Sequence, residues 1–248
     1  MLTKWRRSQV IRSRSDLLDA GDCLVLGEVT DDEVAANSSR IVIEHSRHRR
    51  SREFRELSTS LVSLWTDQPS TSIMFTSALP REGKTVTIAH LALTLGLTDC
   101  RVCLVEGNLR HPEVLDYLGM EGSVGLTNVL IGEADLDDML QPYADTNLTV
   151  LGSGRRPPNP TQLVGSLKMR SLMHELSKRF DIVMVDAPSL ESPSEAHAWA
   201  GLTERAVLVT RVGLTTHIQF RQGLARMPSA RSNPPVVIVN RLPSVAPR

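Results

Sequence analysis

From residue 53 onward, apolar positions follow two alternating rhythms. Short, almost continuous apolar runs occur at 72–77, Val102–Glu106, Leu148–Leu151, Ile182–Asp186, Ala206–Thr210 and Val236–Val239. Runs of this length, rich in branched residues, read as strands buried on both faces. Between them apolar residues return every three or four positions, the period of an amphipathic helix. Phe54, Leu57, Leu61 and Leu64 mark one helix within 52–65, and Ile88, Leu91, Ala92 and Leu95 mark another that ends near Gly96. Helical patterns also cover Gln162–Arg179 and Thr215–Met227. Strands alternating with helices predict an α/β fold, a mostly parallel central sheet flanked by helices on both faces.

The first fifty residues have a different texture. They are polar and basic, with one apolar island at Cys23–Val29 and a cluster, HSRHRRSR, at 45–52. We therefore divide the chain into a basic, juxtamembrane-like segment (1–50), a main domain (51–242) and a loose, proline-containing tail (243–248). No aromatics alternate with the arginines of the cluster, which argues against a single-strand nucleic-acid platform.

Bulk properties narrow the classes. With 248 residues and 41% hydrophobic content, one large domain can build its own core. Lys and Arg number 28, as do Asp and Glu, so the formal net charge is zero, unlike a dedicated nucleic-acid binder. Three cysteines in such a chain suggest a reducing compartment. Cys100 and Cys103 form a C-x-x-C, but no second pair or spaced histidine completes a zinc site, so they read as ordinary cysteines at a strand entrance. No apolar run approaches the roughly 18–20 residues of a membrane span, and the start lacks the apolar centre of a signal peptide. A cytoplasmic location is expected.

The candidate chemistry sits at A-L-P-R-E-G-K-T (78–85), between a buried strand and a helix. Backbone N–H groups in such a loop converge on phosphate oxygens, aided by the dipole of the helix that follows. The nucleotide-binding set is Pro80, Arg81, Glu82, Gly83, Lys84, Thr85 and Val86. Lys84 can reach the β- and γ-phosphates, the Thr85 hydroxyl can ligate Mg²⁺, and Gly83 lets the backbone pass close. Ala78 stands where the full pattern begins with Gly, which is tolerable if its φ is negative. FDIVMVDAPS (180–189) ends a buried strand on Asp186, which can hold Mg²⁺ or its water opposite Thr85. ATP and Mg²⁺ are the implied cofactors of this P-loop NTPase pattern.

At this point the chain resembles a family: the bacterial tyrosine kinases of capsule and exopolysaccharide export, the cytoplasmic partners or halves of polysaccharide co-polymerases. The motifs run in order along nearly the whole chain: CLVLGEV (23–29), EFRELSTSL (53–61), TSALPREGKT (76–85), VCLVEGNLRHP (102–112), GLTNVLIG (125–132), VLGSGRRPPNPTQLV (150–164), VMVDAPS, AVLVTRVGLTT (206–216) and VVIVNRLP (236–243). The resemblance implies a catalytic set of Lys84, Asp186 and Glu106, a metal set of Thr85, Asp186 and Glu106, and adds Asn240 to the nucleotide-binding residues. It also implies a membrane subunit as partner, or an anchor outside this chain, and a place at the inner face of the membrane. A homo-oligomer stays open.

The sequence departs from the family pattern at informative places. Glu106 and Asn108 stand where the family's second strand carries two aspartates, Arg81 replaces the usual loop Gly, and Ser189 replaces a Pro after Asp186. Of the acid and two arginines used in ring assembly only Arg55 aligns, with Arg52 and Ser58 at the other positions. Tyr117 and Tyr143 are the two tyrosines, and neither lies in a C-terminal cluster. Three readings follow: a protein-tyrosine kinase acting on other proteins, a nucleotide-binding regulatory subunit with little transfer, and, ranked last, a partition or division-site ATPase. That last class carries an extra lysine where this chain has Leu79.

Overall fold

The computed structural model describes residues 9–32, 38, 41–64, 71–227 and 234–242. Among them, eight strands form one sheet: β1 (Leu24–Thr30), β2 (Thr71–Ser77), β3 (Val102–Glu106), β4 (Leu140–Pro142), β5 (Leu148–Leu151), β6 (Ile182–Asp186), β7 (Arg205–Arg211) and β8 (Val236–Leu242). Their order is β1-β8-β7-β2-β6-β3-β5-β4, and every pair is parallel except the antiparallel β4·β5.

The strands are apolar throughout because both faces are covered. Met74, Cys103, Val105, Val183, Val185 and Leu208 enter one core, while Ile73, Phe75, Val102, Leu104, Met184, Val207 and Val209 enter the other. Successive strand residues point to opposite faces, so each strand feeds both cores. The first core is closed by α9 (Leu167–Arg179; Met169, Leu172, Met173, Leu176), α10 (Pro193–Ala200; Ala196, Trp199) and α11 (His217–Arg226; Phe220). The second is closed by α3 (Arg49–Leu64; Phe54, Leu57, Leu61) and α4 (Lys84–Gly96; Ile88, Leu91, Leu95).

Three differences from the expected elements have local causes. The helix expected over Gln162–Arg179 is two, α8 (Pro160–Val164) and α9, because Gly165 ends one and the Ser166 side chain caps the next by accepting from Met169 N–H at 3.1 Å. The apolar island near residue 24 is β1, paired in parallel with β8, and α1 (Arg14–Ala20) packs its buried Leu17 into the first core. Residues 14–30 therefore share the sheet and core of the main domain, and α3 runs across the boundary drawn at 50/51. The strand expected over Val236–Val239 runs on through Leu242 as β8, while 243–248 and Trp65 lie outside the described residues. Shorter helices complete the fold: α2 (Ile41–Glu44), α5 (Val114–Leu118), α6 (Leu126–Ile131) and α7 (Leu136–Met139). Cys103 is buried inside β3 and Cys100 precedes it in the loop, both as free cysteines.

Candidate functional site

The site lies at the carboxyl ends of β2, β6 and β3, the usual place for a ligand in an open parallel sheet. β2 runs into the loop 78–83, and the loop ends on Gly83, whose φ of 85° is left-handed. A side chain here would be strained, and its Cβ would fall 2.1 Å from Asn240 Nδ2. The first bond of the α4 ladder runs from Thr87 N–H to Gly83 C=O, so the N–H groups of Lys84, Thr85 and Val86 precede it and are available to an anion. Ala78 is buried and has no positive φ; the glycine-sized gap it needs is supplied by Gly223 of α11, where an added Cβ would sit 2.8 Å from Ala78 Cβ.

Arg81 adopts φ 63°, the left-handed region that favours the Gly usual at this position. Its side chain is exposed and its carbonyl accepts from Arg211 Nη1 at 3.4 Å. Pro80 is exposed and, lacking an N–H, contributes shape alone. Glu82 turns inward. Its fully buried carboxylate accepts from Leu79 N–H (2.7 Å), Arg211 N–H (3.3 Å) and the hydroxyls of Thr210 and Thr215. Burial pushes this carboxyl above the usual range, and the hydrogen bonds pull back. So of Glu82 only the main chain can face a phosphate, and the side chain is a strut inside the loop. Asn240 is likewise a brace, donating from Nδ2 to Glu82 C=O at 2.9 Å.

The acidic side faces Lys84 and Thr85. Thr85 Oγ1 donates to Asp186 Oδ2 at 2.7 Å, and Lys84 Nζ lies 3.8 Å from Asp186 Oδ1. Glu106 is opposite Asp186 in the β3·β6 register. Its extra methylene, compared with aspartate, lets Oε2 accept from the N–H groups of Glu113 (2.9 Å) and Val114 (2.6 Å) at the start of α5. Glu106 Oε1 and Asp186 Oδ1 are buried with no hydrogen-bond partner. Burial, then the Asp186 charge, pushes Glu106 up to about 8, and burial raises Asp186 as well, against the pull of Lys84. Two buried carboxylates that each leave one oxygen without a hydrogen bond, beside a threonine hydroxyl, fit a hard divalent cation. The described residues contain no cluster of three or more His, Cys, Asp or Glu, so the phosphates of a nucleotide would have to complete the shell, as is usual for Mg²⁺.

Asn108 does not enter this group: its Nδ2 donates to His111 C=O at 2.7 Å and holds the loop after β3. The same loop is braced by residues that the sequence pattern did not reveal. Trp199 Nε1 donates to Gly107 C=O at 2.9 Å, and Arg110 pairs with the buried Glu195, both from α10. Their signal is a packing relation between distant segments. Tyr143 is 7% exposed, and the Tyr117 hydroxyl lies 2.9 Å from Nε2 of the buried His90 on α4. Arg55 is exposed and donates to Ser46 C=O, whereas Ser58 is buried and turns back to Arg55 C=O.

Comparison with known proteins places this geometry. The tyrosine-protein kinase YwqD of Bacillus subtilis is 30% identical over 192 residues, covering 77% of this chain and 81% of that protein. The tyrosine-protein kinase Etk of Escherichia coli is 28% identical over 186 residues, covering 75% of this chain but 26% of that longer protein. The solved kinase domain of the E. coli enzyme superposes with a TM-score of 0.86 at 22% identity, over 95% of this chain and 97% of that one, which shows the fold. No family model matches the chain.

Proposed function

Because the chain belongs to the bacterial tyrosine kinases, we propose that it binds Mg²⁺ and ATP and transfers the γ-phosphoryl group to tyrosines of other proteins in capsule or exopolysaccharide biosynthesis. The observation that carries this reading is the set of Lys84, Thr85, Asp186 and Glu106, with two buried carboxylate oxygens that take no hydrogen bond, one of them ion-paired with Lys84.

The N–H groups of Lys84, Thr85 and Val86 hold the phosphate oxygens, and the Lys84 ammonium follows the charge that develops on the γ-phosphoryl group. Asp186 and Thr85 would hold Mg²⁺, with Glu106 Oε1 near the same ion, and the ion would supply charge neutralisation at the phosphates. The phenolic oxygen of the acceptor forms the new bond to the γ-phosphorus. The bond to the β–γ bridging oxygen breaks, ADP leaves with that electron pair, and Glu106 Oε1, ionised once a divalent cation offsets the burial and the Asp186 charge that favour its protonated form, would take the phenol proton. The regulatory-subunit reading drew on Glu106 and Asn108 together with the two tyrosines, Tyr117 and Tyr143, lying inside the domain. It is not favoured, because Glu106 still presents a buried carboxylate oxygen opposite Asp186.

Among the described residues no helix is long and apolar enough to cross a membrane. Etk extends far beyond the part matched, which supports a membrane-anchoring partner or segment outside this chain. The test is ATP binding and phosphotyrosine formation on an added acceptor, in the parent and in Lys84→Ala. We expect loss of most nucleotide affinity and of all transfer; unchanged affinity in the variant would remove the basis of the proposal.

A further inference from the structure

A groove of about 420 Å³, lined by Arg110 and residues Pro158, Asn159, Pro160, Thr161 and Gln162, lies beyond the acidic end of the site. Its volume is in the roughly 300–1,000 Å³ range of sites that take small ligands or single large side chains. It is built rather than incidental. Glu195, 2% exposed, pairs with the Arg110 guanidinium on one wall and takes the Thr161 hydroxyl at 3.5 Å from the other. The prolines stiffen the second wall by fixing φ.

The order of strands gives the groove a direction. Across the sheet from β8 to β5, the carboxyl ends carry first Asn240, then the loop after β2, then Asp186, then Glu106, then the segment that leads to Pro158. In-line transfer needs the acceptor oxygen opposite the leaving β-phosphate. With phosphates held at Lys84 and Thr85 and the carboxylates on the β6–β3 side, the acceptor approaches from the β3–β5 side. Arg110 follows Glu106 by four residues on that side. Neither tyrosine of this sequence offers a free hydroxyl as acceptor: Tyr143 is buried and the Tyr117 hydroxyl is engaged with His90. Glu195 balances Arg110, so the basic charge nearest in sequence to the proline wall is that of Arg155 and Arg156, both exposed and leading directly into it.

We propose that this groove receives a tyrosine-bearing segment of another protein, one with acidic residues beside the tyrosine. The proposal rests on the kinase reading for its chemistry but not for its binding. The probe is a fluorescein-labelled peptide with one tyrosine among glutamates, compared with the same peptide carrying lysines in their place. Anisotropy is measured on the full chain with Mg²⁺ and a non-hydrolysable ATP analogue, and phosphate transfer is measured in parallel with ATP.

Two variants change the groove at exposed positions: Arg155→Glu with Arg156→Glu reverses that basic charge, and Gln162→Trp fills the cleft. Each should weaken the acidic peptide by about tenfold, the first through one or two lost surface charge pairs and the second through lost volume, with analogue affinity unchanged. Absence of peptide binding, equal binding by all variants, or preference for the lysine peptide would overturn the proposal. Groove-dependent binding without transfer would support the groove and count against the kinase reading. Transfer indifferent to both variants would do the reverse.

Discussion

Arg81 offers the cleanest perturbation of the phosphate loop. Its φ of 63° places an L side chain where Cβ crowds the following carbonyl, at about 1–2 kcal/mol relative to ordinary backbone. Glycine removes that strain, but its greater freedom in the unfolded chain costs roughly 0.5–1 kcal/mol. The Arg81 side chain is exposed, and the hydrogen bond from Arg211 goes to the main-chain carbonyl, which Arg81→Gly keeps. The net gain should therefore be about 0.5–1 kcal/mol, or an increase of about 1–4 °C in Tm for a chain of this size. Arg81→Ala is the control: it deletes the same guanidinium yet keeps the Cβ, so it should gain nothing. Calorimetry on parent and both variants, without nucleotide, decides the matter. Equal stabilisation by Ala and Gly would show that the charge, not the backbone, carries the strain. A destabilised Gly variant would refute the reasoning outright.

Other consequences are open to equally direct measurement. Glu106→Gln mimics the protonated carboxyl that burial favours. The parent should lose stability as pH rises from about 4.5 through about 8 while the variant does not, leaving the variant about 1–3 kcal/mol more stable at pH 9 without nucleotide and unable to transfer phosphate; a pH series of urea midpoints checks this. Burial drives His90 down to about 4, so its neutral form stabilises the fold above pH 6.5 and that contribution fades as pH falls toward 4. His90→Gln should flatten the acid limb of the stability curve by up to about 3 kcal/mol, and an unchanged limb would exclude His90 as its origin. Asn240→Ala should lower nucleotide affinity by roughly tenfold through a loosened loop, since a net hydrogen bond is worth about 1 kcal/mol; titration calorimetry with ATP and Mg²⁺ measures it.

The strands were legible because burial on both faces leaves an unbroken apolar run; Val102–Glu106, Leu148–Leu151 and Ile182–Asp186 appear in the structure with the ends their pattern predicts. β4 was not, since three residues with a proline carry no periodicity, and they pair with β5 through tertiary context. In the site, Gly83, Lys84 and Thr85 announce themselves through local order alone. Glu82 did not: a carboxylate inside a phosphate loop reads as exposed until the hydroxyls of Thr210 and Thr215 converge on it. Arg110, Thr161 and Glu195 meet through three separate segments, and no spacing rule reports such a meeting.

The pairing of β1 with β8 joins segments far apart in sequence, Leu24 to Val236 and Val29 to Asn240. During synthesis β1 leaves the ribosome well before its partner strand, so native closure of that edge waits until residues 236–242 have emerged. In the interval β1 is a lone strand available to wrong partners. Its register breaks at Val25/Gly27 and Val29/Thr30 make it a poor template for them. β8 also delivers Asn240 to the phosphate loop, so the loop acquires its brace in the same step that pairs β1 into the sheet.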